Sequence, residues 1–459
     1  MARESASNNQ VSLYRRIRAK LAGQRLYSPH DLIGPHRLDI AAKTVFARAY
    51  IEGNTSTWPE ELYREHIRAW NGFYEKAPLK NSYEDFRRSF VEVIESAQNG
   101  KFRHHEAPVS LDREGKLENG AHRVSTALVL DRFVNTFINE EMTAGQWNHD
   151  FFSYWAFWAR EHLNTGLAEE YVDAMTVEYI ALAPRQMYVV IVFPTAEDHR
   201  DEADGIIRSF GDVLNVKEIP AARLNAKAVI RQLYAGEWWN DDDHLEHVVN
   251  KAEGCFAGTA PLRVYIVRSD LDEAGRREEK VKLRAMWGKE NHSIHISDTP
   301  EEAHRLTRMF FHAGSRAVLG VELEREFPAK FGRLFREFMA AAPSDIRQRD
   351  DICIDSSSTL GILGLRDVND IDYLHRGEAL VRTDNPDISS HNEHAHWYAD
   401  SIDEIVTNPR LHFYYNGIKF AAPAVVRAMK ANRGEEKDKR DVALIDGFMN
   451  NHKEFYVKR

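Results

Sequence analysis

The residues with the strongest claim to chemistry lie near the end of the chain, in the stretch 353–375, CIDSSSTLGILGLRDVNDIDYLH. Asp370 and Asp372 flank Ile371, so on a strand both carboxylates point to one face while Ile371 and Tyr373 turn to the core. Two carboxylates that close repel unless a cation lies between them. Mg²⁺, or Mn²⁺ in its place, takes hard oxygen ligands of this kind together with phosphate oxygens. Upstream, Ser356, Ser357 and Ser358 stand just before a short helical stretch and Gly364, where hydroxyls and free backbone N–H groups hold phosphate. The spacing predicts a metal site on Asp370 and Asp372 beside a phosphate-binding turn.

A second phosphate cradle is predicted in residues 111–128, LDREGKLENGAHRVSTAL. A strand ending at Asn119-Gly120 runs into a helix starting near His122, so Gly120, His122 and Arg123 converge on one helix start. The plainer alternative has His122 and Arg123 capping that helix and pairing with Glu118. In the middle of the chain, NHSIHISDT places His295 and Asp298 at a strand end beside a helix start, a favoured ligand position in open sheets. His292 is three residues from His295 and so on the opposite strand face. His295 is therefore the site candidate, with a satisfied core histidine as its alternative, and Lys280, Lys282 and Arg284 precede it. The run Glu237 to Asp243, EWWNDDD, offers either a sugar-stacking platform or a surface loop anchored by two tryptophans. His391, His394 and His396 have near-metal spacing but fall in a Ser/Asn/Asp-rich segment and read as loop.

Something must position these residues, and the composition supplies it. A chain of 459 residues with 43% hydrophobic and 11% aromatic residues can bury two or three cores. Residues 1–185 read as mostly helical, with many aromatics. Residues 186–345 alternate strand-like runs (MYVVIVF, LRVYIV, SIHIS) with helical stretches. One of these helices follows Thr299-Pro300-Glu301-Glu302, a capping box with proline at the first helical position. Residues 346–459 alternate short strands and helices around the two aspartates. The expected fold is multidomain α/β (α+β).

Charge and cysteine content narrow the partners. Sixty-one Lys+Arg against 71 Asp+Glu give a net charge of −10, which argues against a nucleic-acid coat. The two cysteines, Cys255 and Cys353, form no disulfide framework. The polar MARESASNNQ start predicts no secretory signal, and no apolar run approaches the roughly 20 residues of a membrane helix. The expectation is a cytoplasmic protein.

The hydroxyl-rich turn, the helix and the Asp-Ile-Asp triplet twelve positions after Ser358 resemble the signature of the polymerase-β-like nucleotidyltransferase superfamily. The pattern S-x-L-G-x-x-G-L-R-x-x-x-D-I-D, Ser358 to Asp372, resembles the LicD/fukutin branch, whose members pass phosphorylated groups from nucleotide-activated donors onto cell-surface glycans. The resemblance implies that Ser357 and Ser358 hold donor phosphate, that Asp370 and Asp372 bind the metal and that Arg366 neutralises phosphate charge. Lys419, Lys430 and Arg433 are further phosphate candidates. Two features depart from the pattern: Ser356 stands where a glycine is usual, and His412 and Asn416 stand where many members carry a third carboxylate. Independently, the segment around Gly120 to Arg123, with Arg37, Asp39 and Lys43 upstream, is similar to the nucleotide-phosphate box of the ParB/sulfiredoxin-like fold.

Three functions remain open from sequence. The first is a Mg²⁺-dependent transferase moving a phosphoryl-linked or glycosyl group from a nucleotide-activated donor to a glycan or polyol, as in surface-polysaccharide assembly. The second is a ParB/sulfiredoxin-like nucleotide-dependent kinase or nucleotidase working at Gly120 to Arg123. The third is a non-catalytic, nucleotide-gated nucleic-acid-binding module, which the net charge disfavours.

Overall fold

A computed structural model of the chain describes residues 25–76, 79–100, 108–155, 167–183, 187–240, 244–321, 329–378 and 381–453. Asp241, Asp242 and Asp243 of the tryptophan-rich run, and residues 156–166 of the helical text before the middle region, lie outside them. The fold mixes helix and strand around several small sheets. The chain divides into two compact units: Met1–Asn54 with Pro59–Ala183, and Thr55–Trp58 with Pro184–Arg459.

The first unit is built on α1 (Asp39–Glu52), α2 (Trp58–Asn71), α3 (Tyr83–Gln98) and α4 (Ala121–Val129). In α3, Ser82 caps the start by accepting the Asp85 N–H at 3.2 Å. Phe86, Phe90 and Ile94 then recur every four residues and are all buried. They meet Phe46, Tyr63 and Ile67 in one aromatic core, each buried ring being worth roughly 1.5–3 kcal/mol. A four-stranded sheet, order β1-β4-β2-β3, lies in the same unit, with β1 Arg25–Tyr27, β2 Val109–Leu111, β3 Leu117–Asn119 and β4 Val134–Ile138. The β2–β3 hairpin is closed by Asp112, whose Oδ1 accepts the N–H groups of Glu114 and Lys116 at 2.9 Å each.

The second unit holds two sheets. The first, order β8-β5-β7-β6, comprises β5 (Met187–Val192), β6 (Asp212–Ile219), β7 (Leu262–Arg268) and β8 (Ile294–Ile296). Every residue of β5 is buried, as its uninterrupted MYVVIV implies. Each neighbouring pair in this sheet is antiparallel. Two helices matter below: α5 (Glu273–Trp287) and α6 (Pro300–Phe311). The start of α6 is capped as its sequence indicates, with Thr299 Oγ1 accepting the Glu302 N–H at 3.1 Å and the Glu302 carboxylate accepting the Asp298 N–H at 2.7 Å.

The second sheet, order β11-β10-β9-β13-β12, carries the acidic triplet. Its strands are β9 (Ile352–Ile354), β10 (Ile371–His375), β11 (Ile388–Ser390), β12 (His412–Tyr415) and β13 (Ile418–Ala421). β9 is the central strand, antiparallel to β10 and parallel to β13. The helix α7 (Ser357–Ile362) follows β9 after a two-residue turn, and α8 (Pro423–Arg433) and α9 (Glu436–Asn451) close the chain. The closing pair is pinned by buried charge: Asp438 and Asp441 take Lys430, Arg433 and Arg366. No described helix is long and apolar enough to cross a membrane.

Candidate metal centre

The strand β9 delivers Asp355 at its C-terminal end, fully buried. The neighbouring antiparallel strand β10 delivers Asp372, and the Asp355 N–H donates to the Asp372 carbonyl at 2.9 Å. His391 follows β11 directly, its N–H donating to the Tyr373 carbonyl at 2.8 Å. Three successive strands of one sheet thus bring two carboxylates and an imidazole together, with one ligand atom of each within 4.8 Å of the others.

Asp355 Oδ2 accepts the Tyr398 hydroxyl and lies 3.4 Å from His391 Nδ1. Its other oxygen, Oδ1, is buried and has no hydrogen-bond partner among the described residues. A buried, unpartnered carboxylate oxygen is costly, and a coordinated cation removes that cost. Burial raises the Asp372 pKa first, and the negative charges of Asp355 and Asp370 raise it further, against the opposing effects of His391 and the Ser356 hydroxyl. Burial alone would lower the His391 pKa; the hydrogen bond and charge of Asp355, with Asp372, reverse it and raise the value. The centre has more negative charge than its own imidazole neutralises. Two carboxylates and one imidazole fit a divalent cation, and the nitrogen donor tilts the choice from Mg²⁺ toward Mn²⁺ or Zn²⁺.

The turn between β9 and α7 stands against this cluster. Ser356 has φ 56° and ψ −128°, a backbone region that glycine occupies freely and other residues only under constraint. This is the position where the resembled pattern carries glycine, and the serine adopts a glycine-like conformation there. Ser357 donates its hydroxyl to Asp370 Oδ1 at 3.0 Å, and Ser358 donates to the Asp370 carbonyl at 3.2 Å. Both hydroxyls, expected to hold phosphate, therefore tie the turn to the residue before β10.

Several expected roles change accordingly. Asp370, expected as a metal ligand beside Asp372, precedes β10, is exposed and lies outside the cluster, because its carboxylate serves the Ser357 hydroxyl. Arg366, expected on phosphate, is held by Asp441 through Nε and Nη2 at 2.7 and 3.0 Å. Lys419, on β13, is buried and donates to the carbonyls of Asp350 and Val406 at 2.6 and 2.7 Å. Lys430 is buried between Asp438 and Asp441. Arg433 stays relevant: it is bound to Asp438, yet its charge acts on both Asp372 and His391.

Asp355 was not singled out by sequence pattern. The signal available was a lone acid ending an apolar Ile-Cys-Ile strand immediately before the serine turn. His391, which reads as loop, is the cluster's third member, while His394 stacks on Trp397 with centroids 4.5 Å apart.

In the first unit, Gly120 has φ +107°, and a Cβ there would stand 3.1 Å from Val109, so glycine is required between β3 and α4. The expected cradle is otherwise filled by the protein. Asp39 takes Arg37 at 2.8 Å and Lys43 at 2.5 Å, all buried. Lys43 is lowered to about 8 by burial, partly offset by Asp39. His122 bonds the Tyr63 hydroxyl at 3.0 Å and lies 4.4 Å from the Phe90 ring, and burial drives its pKa well down. A neutral imidazole among aromatic rings is a poor phosphate ligand. Arg123 is partly buried beside Gly120.

His295, in β8, is buried and pairs with Glu302 at 3.0 Å, edge-on to Tyr234. It lines a cavity of its own, apart from the carboxylate cluster. No family model, curated protein or solved structure matches the chain.

Proposed function

We propose that the Asp355–Asp372–His391 cluster is the metal centre of a divalent-cation-dependent transferase of nucleotidyltransferase-like type. The reaction would move a phosphoryl-linked or glycosyl group from a nucleotide-activated donor to a glycan or polyol hydroxyl. The observation that carries the reading is the buried, unpartnered Oδ1 of Asp355 in a residue clustered with a second carboxylate and an imidazole beside the strained serine turn. When bound, the cation supplies charge neutralisation for a leaving diphosphate.

The chain's own residues do the positioning. Tyr398 fixes one oxygen of Asp355, and Ser356 hydrogen-bonds Asp372. The Ser357 and Ser358 hydroxyls hold the turn against Asp370, so that the two strands cannot slide apart. Arg433 brings positive charge to the cluster without leaving Asp438. Catalysis of this kind is mostly orientation and electrostatics.

The kinase or nucleotidase reading at Gly120 to Arg123 has less support, because Arg37 and Lys43 are saturated by Asp39 and His122 is enclosed by aromatics. A nucleic-acid module is disfavoured by the −10 charge.

The test is a melting-temperature screen of nucleotides and nucleotide-sugars with and without Mn²⁺ or Mg²⁺, followed by turnover of the best donor. Cation-dependent stabilisation that Asp372→Asn removes, together with lost turnover, supports the reading. Stabilisation or turnover that ignores the cation overturns it.

A further inference from the structure

A cavity of about 1230 Å³ opens in the second unit, lined among others by Lys251, Lys280, Arg284, Arg305, Arg308 and Arg349. Its location is distinct from the metal centre. Arg308 pairs with Asp350, just before β9, whereas Asp355 follows that strand, so the two sites sit toward opposite ends of β9.

Arg308 is paired with Asp350 and Lys280 with Asp298 at 3.5 Å, whereas Arg305, Arg349 and Lys251 are held chiefly by carbonyl oxygens. Arg305 donates to the carbonyls of Gln232 and Leu233, with Glu302 at 3.9 Å. Arg349 donates to the carbonyls of Pro343 and Ser344, and Lys251 to that of Asn291. Carbonyl oxygens satisfy N–H groups while leaving the positive charge uncompensated.

The acids of the lining redress this only in part. Exposed Asp298 serves Lys280, Glu237, Glu290 and Glu301 are exposed, and the half-buried Glu302 is engaged by His295 and the Asp298 N–H. The cations also crowd one another: Lys251 feels Arg284 and Lys280, and Arg349 feels Arg308. Burial lowers the pKa values of Lys251, Arg305 and Arg349, as expected for charges held away from water.

Unmet hydrogen-bonding capacity is concentrated in the same wall. Arg284 Nε, Arg308 Nε, His304 Nε2 and Asn416 Oδ1 are buried without partners among the described residues, and all four residues line the cavity. The side chains of Arg308 and His304 are almost wholly buried. Donors beside an acceptor suit a ligand that combines anionic groups with hydroxyls. At the mouth, the Trp238 indole is 70% exposed, and Trp239 packs on Tyr234 with ring centroids 5.0 Å apart. Indole faces of this kind stack on sugar rings.

From these features we infer that the cavity binds a phosphorylated sugar or polyol, with its phosphate groups against Arg284, Lys251 and Lys280 and its carbon skeleton against the tryptophans. Phosphate suits the fork of an arginine and the point charge of a lysine together. The inference does not depend on the metal centre.

The experiment is calorimetric titration with fructose 1,6-bisphosphate and with inorganic pyrophosphate, in EDTA so that the metal centre is silent, at matched ionic strength set with KCl. Fructose 1,6-bisphosphate should bind and quench tryptophan fluorescence. Arg284→Gln and Lys280→Gln, each checked for native circular dichroism, should weaken it about tenfold or more, as expected for a lost charge-assisted contact. Asp372→Asn should bind as the unaltered protein does. The inference is overturned if neither phosphate binds, if Arg284→Gln and Lys280→Gln leave affinity unchanged, or if Asp372→Asn abolishes binding, which would move the ligand to the metal centre. Pyrophosphate binding without the sugar bisphosphate would overturn the sugar assignment.

Discussion

Two buried ionic clusters, one in each unit, have opposite balances. Around Asp39 a single carboxylate meets two cations, Arg37 and Lys43, at hydrogen-bonding distance. Around Asp355 two carboxylates meet one imidazole, and a carboxylate oxygen is left without a partner. In the first cluster both carboxylate oxygens have cationic partners; in the second one carboxylate oxygen has no partner among the described residues. Burial alone therefore does not separate the two; the unpartnered carboxylate oxygen beside a second carboxylate does.

The largest expected difference is in stability. Asp39→Asn strands two buried cations and should cost the first unit ~3–5 kcal/mol in denaturant unfolding. Asp372→Asn, measured without metal, should leave the second unit as stable or more so. The folded state already disfavours this carboxylate's charge, and its raised pKa means that ionisation at neutral pH works against folding. Equal losses in the two variants would erase the distinction between the clusters.

Adding cation should invert the second cluster's behaviour. A saturating divalent ion, at about 100 times its Kd, should stabilise the second unit by ~2.7 kcal/mol and leave the first unchanged. Mn²⁺ should exceed Mg²⁺ because one donor is an imidazole. His391→Ala should reduce this preference.

Acid should act on the first unit through His36, as it should on the second through buried His304, His312 and His412. Burial, and then the charge of Arg37, hold the His36 pKa down to about 4. Below pH 6.5 the unfolded chain takes up a proton that folded His36 refuses, so stability falls as pH drops from 6.5 toward 4. The share of His36 in that loss by pH 4.5 should be on the order of 2 kcal/mol, and His36→Gln should remove that share while His66 and His122 keep theirs. The smallest effect belongs to Ser356→Gly, which relieves the positive φ and should stabilise by at most ~1 kcal/mol, offset in part by the lost hydrogen bond to Asp372.

These contrasts also show what sequence pattern can carry. The serine turn, the strand carrying Asp372 and the Gly120 turn are local features, and each is visible in the order of residue types. The capping of α6 by Thr299 is equally local. The metal cluster is not. Asp355, Asp372 and His391 meet because β9, β10 and β11 are neighbours in a sheet, and a pairing between strands leaves no mark on residue spacing. The alternation rule pairs Asp370 with Asp372, but β10 begins only at Ile371, so Asp370 belongs to the turn. Arg366 and Lys419 look like free cations in sequence, because their partners Asp441 and the Asp350 and Val406 carbonyls are distant or main-chain. The antiparallel order of the middle sheet is hidden for the same reason: alternating strands and helices do not by themselves set strand direction.

The decisive measurement is a Mn²⁺ titration, followed by electron paramagnetic resonance, of the unaltered protein and of Asp355→Asn, Asp372→Asn and Asp370→Asn. The expected result is one tight site, weakened at least about 100-fold by either cluster variant, since even outer partners of a metal are worth roughly 10–100-fold, and nearly unaffected by Asp370→Asn. A protein that binds no Mn²⁺, or binds it equally well after Asp372→Asn, would contradict a metal centre on these three strands.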